Sequence, residues 1–273
     1  MKHSIFVTIF TLSSTSFSFA ETTKIRLISS QFEPLQYQGE KPKGYVVDLF
    51  NKLRPILKSK HKIELSQVEF FPWKRAVQIA SYEKNALFFS LSRTDKRENK
   101  FKWLAQVSPY EQAIFSLSDS LGNNKNNALQ NWQDLIKANK VLAVQSGSNL
   151  ENHVFNELLF PKKLVSSVPH YLISIKMLFA GRVDYIPLTA FLAEGTLCRN
   201  GYRNNALTYN FSVEKFASPL WAAFNPDTDD SIVTKVRTEL NSLSNSTWYN
   251  QHQKNTIQKW NQLQCYQLTG QPG

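Results

Sequence analysis

The sequence predicts an α/β chain folded as two similar lobes, on three observations. Short apolar runs of strand length alternate with longer segments of helical pattern, in the order strand, helix, strand, helix, strand. The pattern breaks at the polar run Gly122-Asn123-Asn124-Lys125-Asn126-Asn127 and then restarts with the same alternation. The chain closes on a long helical segment. Such alternation implies mostly parallel sheets flanked by helices, with ligand-facing loops at the strand C-termini. Lobe 1 is expected to comprise 21–113 and 222–273, and lobe 2 to comprise 114–221. Crossover strands at 113–117 and 218–224 would join them and leave a cleft that can close.

In chain order, residues 25–29 form an apolar strand that ends in the loop Phe32-Glu33-Pro34-Leu35. Gly44 to Leu49 leads into a helix reaching about residue 60, and 63–70 suits a second strand. Pro72 opens the next helix at a position where its missing N–H does no harm. Residues 87–90 form a third strand. Beyond the polar run, 132–138 is helical and 141–144 a strand. Gln145-Ser146-Gly147-Ser148-Asn149 is a tight turn into a helix through residue 159. Residues 165–168 and 183–187 read as strands around a helix at 172–180. The apolar run 217–224 precedes helices at 232–243 and 248–260.

The first 20 residues read as a secretory signal: Lys2, a short apolar core, and Ser18-Phe19-Ala20 as a small-x-small cleavage site. The expected mature product is an exported, periplasmic monomer cleaved after Ala20. The net charge of +11 favours anionic partners. Lys and Arg are nonetheless scattered, without a basic stripe interleaved with aromatics, so a nucleic-acid partner is not expected. Cys198 and Cys265 are the two cysteines. In an oxidising compartment they can form one disulfide or remain two thiols. They share no metal-ligand spacing with the histidines, and neither a metal nor a cofactor is expected.

The most informative stretch is Ser90-Leu91-Ser92-Arg93-Thr94-Asp95-Lys96-Arg97-Glu98. Two residues apart on a strand, Ser90 and Ser92 point to the same side. Thr94 can cap the following helix and would put Arg97 in its first turn. Hydroxyls, free N–H groups and a guanidinium on one spot make a receptor for a carboxylate. The competing reading is an ordinary strand-to-helix turn in which Arg97 pairs with Glu98 or solvent.

Taken in order, Phe32 to Leu35, Gly44 to Leu49, Ser90 to Arg97, Val107-Ser108-Pro109-Tyr110, Val144 to Ser148 and Gly181-Arg182-Val183-Asp184 carry a family resemblance. Together they resemble the bacterial extracellular solute-binding proteins of family 3, the polar amino acid type that serves ABC transporters. The resemblance spans nearly all of the mature chain. It implies a type II periplasmic-binding-protein fold with the ligand held between the lobes. On it, Phe32 matches the aromatic that stacks on the ligand, and Trp73 matches an apolar pocket wall. Ser90, Ser92 and Arg97 match the carboxylate receptor. Ser148 matches a second-lobe hydroxyl that completes the anion site on closure. Each has an ordinary alternative: loop packing for Phe32, core packing for Trp73, a helix N-cap for Ser148.

One position departs from the pattern. Where amino acid binders usually place an Asp for the ligand ammonium, this chain has Thr189. The expected ligand is therefore a small carboxylate, an amino acid or a related compound. The expected partner is an ABC permease or, in a sensing role, a membrane receptor. Dehydratases on this fold need an acid facing the bound carboxylate. None is apparent at Thr189, so catalysis is not expected.

Overall fold

The computed structural model describes residues 22–118, 129–263 and 265. Residues 1–20, expected to be a secretory signal, and the polar run 122–127 lie outside the described residues. The first half runs β1 (Thr23–Ser29), β2 (Tyr37–Gln38), β3 (Pro42–Lys43), α1 (Tyr45–His61), β4 (Ile63–Phe70), α2 (Trp73–Tyr82), β5 (Ala86–Ser92), α3 (Asp95–Glu98) and β6 (Lys102–Ser108). The chain continues through β7 (Gln112–Leu117), α4 (Trp132–Lys137), β8 (Leu142–Gln145), α5 (Asn149–Asn156), β9 (Val165–Val168), α6 (Tyr171–Phe179) and β10 (Ile186–Thr189). It finishes with α7 (Ala193–Arg199), β11 (Leu207–Ser212), β12 (Leu220–Phe224), α8 (Asp230–Ser244) and α9 (Thr247–Asn261).

One sheet has the order β4-β1-β5-β12-β6. Its β4-β1-β5 portion is parallel, because helices return the chain between these strands, while β12 pairs antiparallel with both neighbours. A second sheet, β10-β7-β11, is antiparallel, and β8 pairs parallel with β9 beside it. The chain leaves the first sheet where β6 gives way to β7 and returns where β11 gives way to β12. The expected crossings at 113–117 and 218–224 are thus each one member of a strand pair. Their partners β6 and β11 are additions to the sequence reading.

The strand expected at 183–187 begins later, at Ile186. The reason lies in Asp184, whose carboxylate accepts from the Val141 N–H at 2.8 Å and from Lys140 Nζ at 3.0 Å. The backbone N–H groups of Asp184 and Tyr185 both turn to the Val141 carbonyl. Those bonds divert the segment from a continuous ladder. Similarly, the helix after Ser148 ends at Asn156, three residues short of the expected 159.

Helices α1, α8 and α9 cover one face of the first sheet, where Leu27, Phe50, Leu87, Phe89, Leu240 and Tyr249 share a core. Helix α2 covers the other with Ala76 and Ala80 against Ile28 and Phe88. At roughly 25 cal/mol per Å², these sealed faces supply most of the driving force for folding. Along β5 the faces alternate strictly up to Phe89. Leu91 then falls on the same side as Phe88. The phase slips because Ser90 has φ of 63°, and Phe89-Ser90 oppose a single residue of β12. It is a β-bulge with a non-glycine residue in the left-handed region. The alternation that would align Ser90 with Ser92 is therefore broken, which corrects the sequence expectation.

Helix α9 also reaches the second half of the chain. Trp260 Nε1 donates to the Leu192 carbonyl at 3.3 Å, and Asn261 Nδ2 donates to the Phe191 carbonyl at 2.7 Å. A Cβ on Gly195 would lie 2.4 Å from Trp260 Cδ1, so only glycine permits this approach. Just beyond, Cys198 and Cys265 form a disulfide.

Candidate functional site

The site begins with the turn after β1. Phe32 and Gln36 exchange backbone hydrogen bonds at 2.7 and 3.0 Å across a cis Glu33–Pro34 peptide. The carbonyls of Pro34 and Leu35 then accept from the Tyr45 and Val46 N–H groups, at 3.3 and 3.0 Å, capping the start of α1. This close approach requires Gly44, whose φ is 116° and whose added Cβ would sit 2.3 Å from the Leu35 oxygen. A rigid helix terminus thereby fixes the position of Phe32.

Phe32 borders a cavity of about 110 Å³ between the two sheets, at the carboxyl ends of β1, β5, β8 and β10. Of the residues expected at the site, Phe32, Trp73, Ser90, Ser92, Ser148 and Thr189 all line this cavity. Arg97 does not line it. Its guanidinium lies 5.7 Å from the Trp73 ring centre, and Nη1 donates to the Ser92 carbonyl at 3.3 Å. Arg97 thus contacts two lining residues from behind. It is only 9% exposed and has no carboxylate partner among the described residues. Burial pulls its pKa down to about 10. The carboxylate of Glu98 is taken instead by Arg93, at 2.8 and 2.5 Å. Thr94 provides no side-chain cap to α3. Its Oγ1 is buried without a partner, contrary to the capping expected from sequence.

Ser90 donates its hydroxyl to Gln36 Oε1 at 2.7 Å, while Gln36 Nε2 donates to the Ser30 carbonyl at 3.2 Å. The second bond orients the amide, so the Ser90 proton is spent and its oxygen is left as an acceptor. Ser148 is the N-cap of α5, accepting from the Glu151 N–H at 3.1 Å. Glu151 in turn accepts from the Gly147 N–H at 2.6 Å, a variant of the reciprocal cap. Ser148 therefore caps a helix and borders the cavity at once.

Contacts between the two halves close around this space. Trp73 Nε1 donates to the Gly147 carbonyl at 3.1 Å. Lys96 Nζ reaches Asn152 Oδ1 at 2.6 Å and Glu157 Oε1 at 3.2 Å, and Arg199 pairs with Glu33 at 3.2 Å.

Sequence comparison finds no matching protein-family model and no matching curated protein. Solved structures do match. A histidine kinase sensor domain similar to periplasmic binding proteins aligns with a TM-score of 0.69 at 15% identity, over 87% of this chain and 95% of that one. The Streptococcus pneumoniae amino acid ABC transporter substrate-binding protein AbpA, bound to L-arginine, aligns at 0.66 and 17% identity, over 87% and 95%. An ancestral amino acid-binding protein, precursor of cyclohexadienyl dehydratase, aligns at 0.66 and 16% identity, over 87% and 94%. The fold is that of the two-lobe periplasmic binding proteins.

Within this binding-protein fold, several lining residues went unnoticed in the sequence. Tyr110 and Tyr171 meet Phe32 edge-on, with ring centres at 6.2 and 5.8 Å. Burial raises the pKa of both phenols well above the usual range, so they act as neutral groups. Gln36 was hidden by its distance from Ser90 in sequence. Tyr110 lay within the quoted segment Val107 to Tyr110, yet nothing marked its side chain. Ser30 and Asn149 also line the cavity, and Ser30 Oγ and Asn149 Nδ2 are buried with no hydrogen-bond partner.

Proposed function

We propose that this chain is an exported solute-binding protein that captures a small carboxylate-bearing solute between lobes formed by 21–113 with 222–273 and by 114–221. Buried Arg97, without a carboxylate partner among the described residues and in contact with both Trp73 and Ser92, carries the reading. A desolvated guanidinium is stabilised by an anion nearby, and the hydroxyls of Ser30 and Ser92 and the amide of Asn149 offer hydrogen-bond donors to the same anion, the Ser90 proton being held by Gln36. The solute docks on Phe32, Trp73, Ser90 and Ser92 of the first lobe. Ser148 and Thr189 of the second lobe engage it in the closed form, and that differential contact drives closure. Resemblance to family 3 and the signal-like N-terminus support delivery to an ABC permease from the periplasm.

A second reading replaces the permease with a membrane receptor, favoured by the sensor-domain likeness. Catalysis of the dehydratase kind has less support. Among the described residues no acidic side chain borders the cavity.

The test is a thermal-shift screen of the mature protein, refolded to remove carried-over ligand, against small carboxylates and amino acids. A solute at a hundred times its Kd adds about 2.7 kcal/mol of stability. Arg97→Ala should weaken that response markedly while Arg97→Lys keeps more of it. An undiminished response in Arg97→Ala would remove Arg97 from the site.

A further inference from the structure

We propose that the solute is a carboxylate without an ammonium group, whose flat apolar body packs on the aromatic walls of the cavity; this deepens, and rests on, the solute-binding reading above. Among the described residues, no Asp, Glu, Lys, Arg or His borders the cavity. Its apolar walls are the rings of Phe32, Trp73, Tyr110, Tyr171 and Phe216 together with several leucines, and its polar positions are hydroxyls and carboxamides.

An ammonium placed there would lose its water and meet no counter-charge. Glu111, between the lining residues Tyr110 and Gln112, is exposed and does not border the cavity, and Glu33 and Glu151, each next to a lining residue, are already engaged. Glu33 pairs with Arg199 at 3.2 Å. Glu151 accepts from the Gly147 N–H at 2.6 Å and from Ser167 Oγ at 2.5 Å. Recruiting either would break an existing contact. Thr189, buried at the end of β10, offers a hydroxyl but no charge. Burying an unpaired cation is among the most unfavourable substitutions a binding site can make.

A carboxylate also meets no charged group in the lining, but it has a cation just behind the wall and unpaired donors beside it. Arg97, in contact with Trp73 and Ser92, contributes a positive field with no carboxylate partner among the described residues. Asn149 Nδ2 is a buried donor without a partner, and Ser30 Oγ a buried hydroxyl without one. Both residues belong to the cavity lining, so an acceptor drawn against these atoms as the site closes would satisfy groups that the protein leaves unpaired. The edge-on packing of Tyr110 and Tyr171 against Phe32 leaves an aromatic surface suited to a ring or a short branched chain.

Titration calorimetry on the refolded mature protein with matched pairs tests the idea. The pairs are 3-phenylpropionate against L-phenylalanine, and 4-methylpentanoate against L-leucine. The deaminated member of at least one pair should bind roughly tenfold or more tightly than its amino acid. Tighter or equal binding of the amino acids would overturn this inference and leave the solute-binding reading standing. Preference for a trimethylammonium carboxylate such as glycine betaine would overturn it too, because the aromatic walls would then be caging a cation. Silence with every carboxylate would remove both this inference and the carboxylate reading of the site.

Discussion

Trp73 Nε1 donates to the carbonyl oxygen of Gly147 at 3.1 Å, joining the first turn of α2 to the turn before α5. The same ring packs on Phe88, 5.6 Å between centres, and carries the Arg97 guanidinium. One side chain thus belongs to the core of the first sheet, to the cavity and to the seam between the two halves. Pro72 as the N-cap of α2 places it there, because the helix starts at the indole.

Trp73→Phe keeps an aromatic ring on Phe88 and removes the donor together with the rest of the indole. The expected outcome is an unfolding midpoint close to that of the parent when no solute is present, with solute affinity reduced by about fivefold to tenfold, the worth of one hydrogen bond. Calorimetry and thermal melts on the same preparation separate the two. An equal loss in the solute-free melt would show that the bond serves folding and not closure.

Ser90 combines an unfavourable backbone with a favourable side chain. Its φ of 63° is costly for a residue with a Cβ, by about 1 kcal/mol or more. Its hydroxyl satisfies Gln36 Oε1, which is otherwise buried. Ser90→Ala keeps the strain and orphans the amide, so it should destabilise the fold by about 1–3 kcal/mol. Ser90→Gly loses the same bond but relaxes the backbone, and should recover roughly 1 kcal/mol of that. Denaturant melts of both variants check the ordering. Ser90→Ala more stable than Ser90→Gly would mean that the bulge is unstrained.

Much of this architecture was legible in the residues. The spans 63–70 and 165–168 carry apolar and β-branched residues between clear breakers, and their strands fall on those bounds. Proline at 72 marked a helix start. The bulge at Ser90 was not legible, because Leu-Phe-Phe-Ser-Leu-Ser keeps a strand composition whether or not the phase slips. Nor could the sequence show that Arg97 would stand behind Trp73. Its position depends on how the short helix α3 docks, and four residues leave no periodicity to read. The cavity depends on pairs such as Phe32–Tyr171 and Ser90–Gln36, far apart along the chain and joined only by the fold.

The disulfide between Cys198 and Cys265 spans 67 residues and fastens the segment just after α9 to α7. In the chain-entropy account a closure of that length stabilises by about 4 kcal/mol. Reduction should therefore lower the unfolding midpoint by several degrees without dissolving the first sheet, whose core lies elsewhere. Gly195→Ala should act on the same seam by forcing Trp260 away. Mass spectrometry of the unreduced, alkylated protein checks the premise: two labelled thiols would refute it.

His170 ties pH to the start of α6, beside the cavity residue Tyr171. Its Nδ1 accepts from the Leu172 N–H at 3.2 Å as the N-cap of α6, and its ring stacks on Tyr171 at 4.8 Å. Burial lowers its pKa below the ordinary value of about 6.5, a shift only partly offset by a hydrogen bond with the Gln31 backbone. Around it stand neutral Tyr171 and, near that phenol, Glu33, already paired with Arg199. A folded-state pKa below the unfolded one means that the unfolded chain binds more protons as the pH falls through 6.5. Stability is therefore whole above about pH 6.5 and declines below it, as a proton on Nδ1 would face the Leu172 N–H. His170→Gln keeps an acceptor for that N–H and cannot titrate. Thermal melts between about pH 7.5 and 5 should show a decline in the parent that is flattened in His170→Gln. Parallel curves would assign the acid sensitivity to other groups and leave His170 a cap alone.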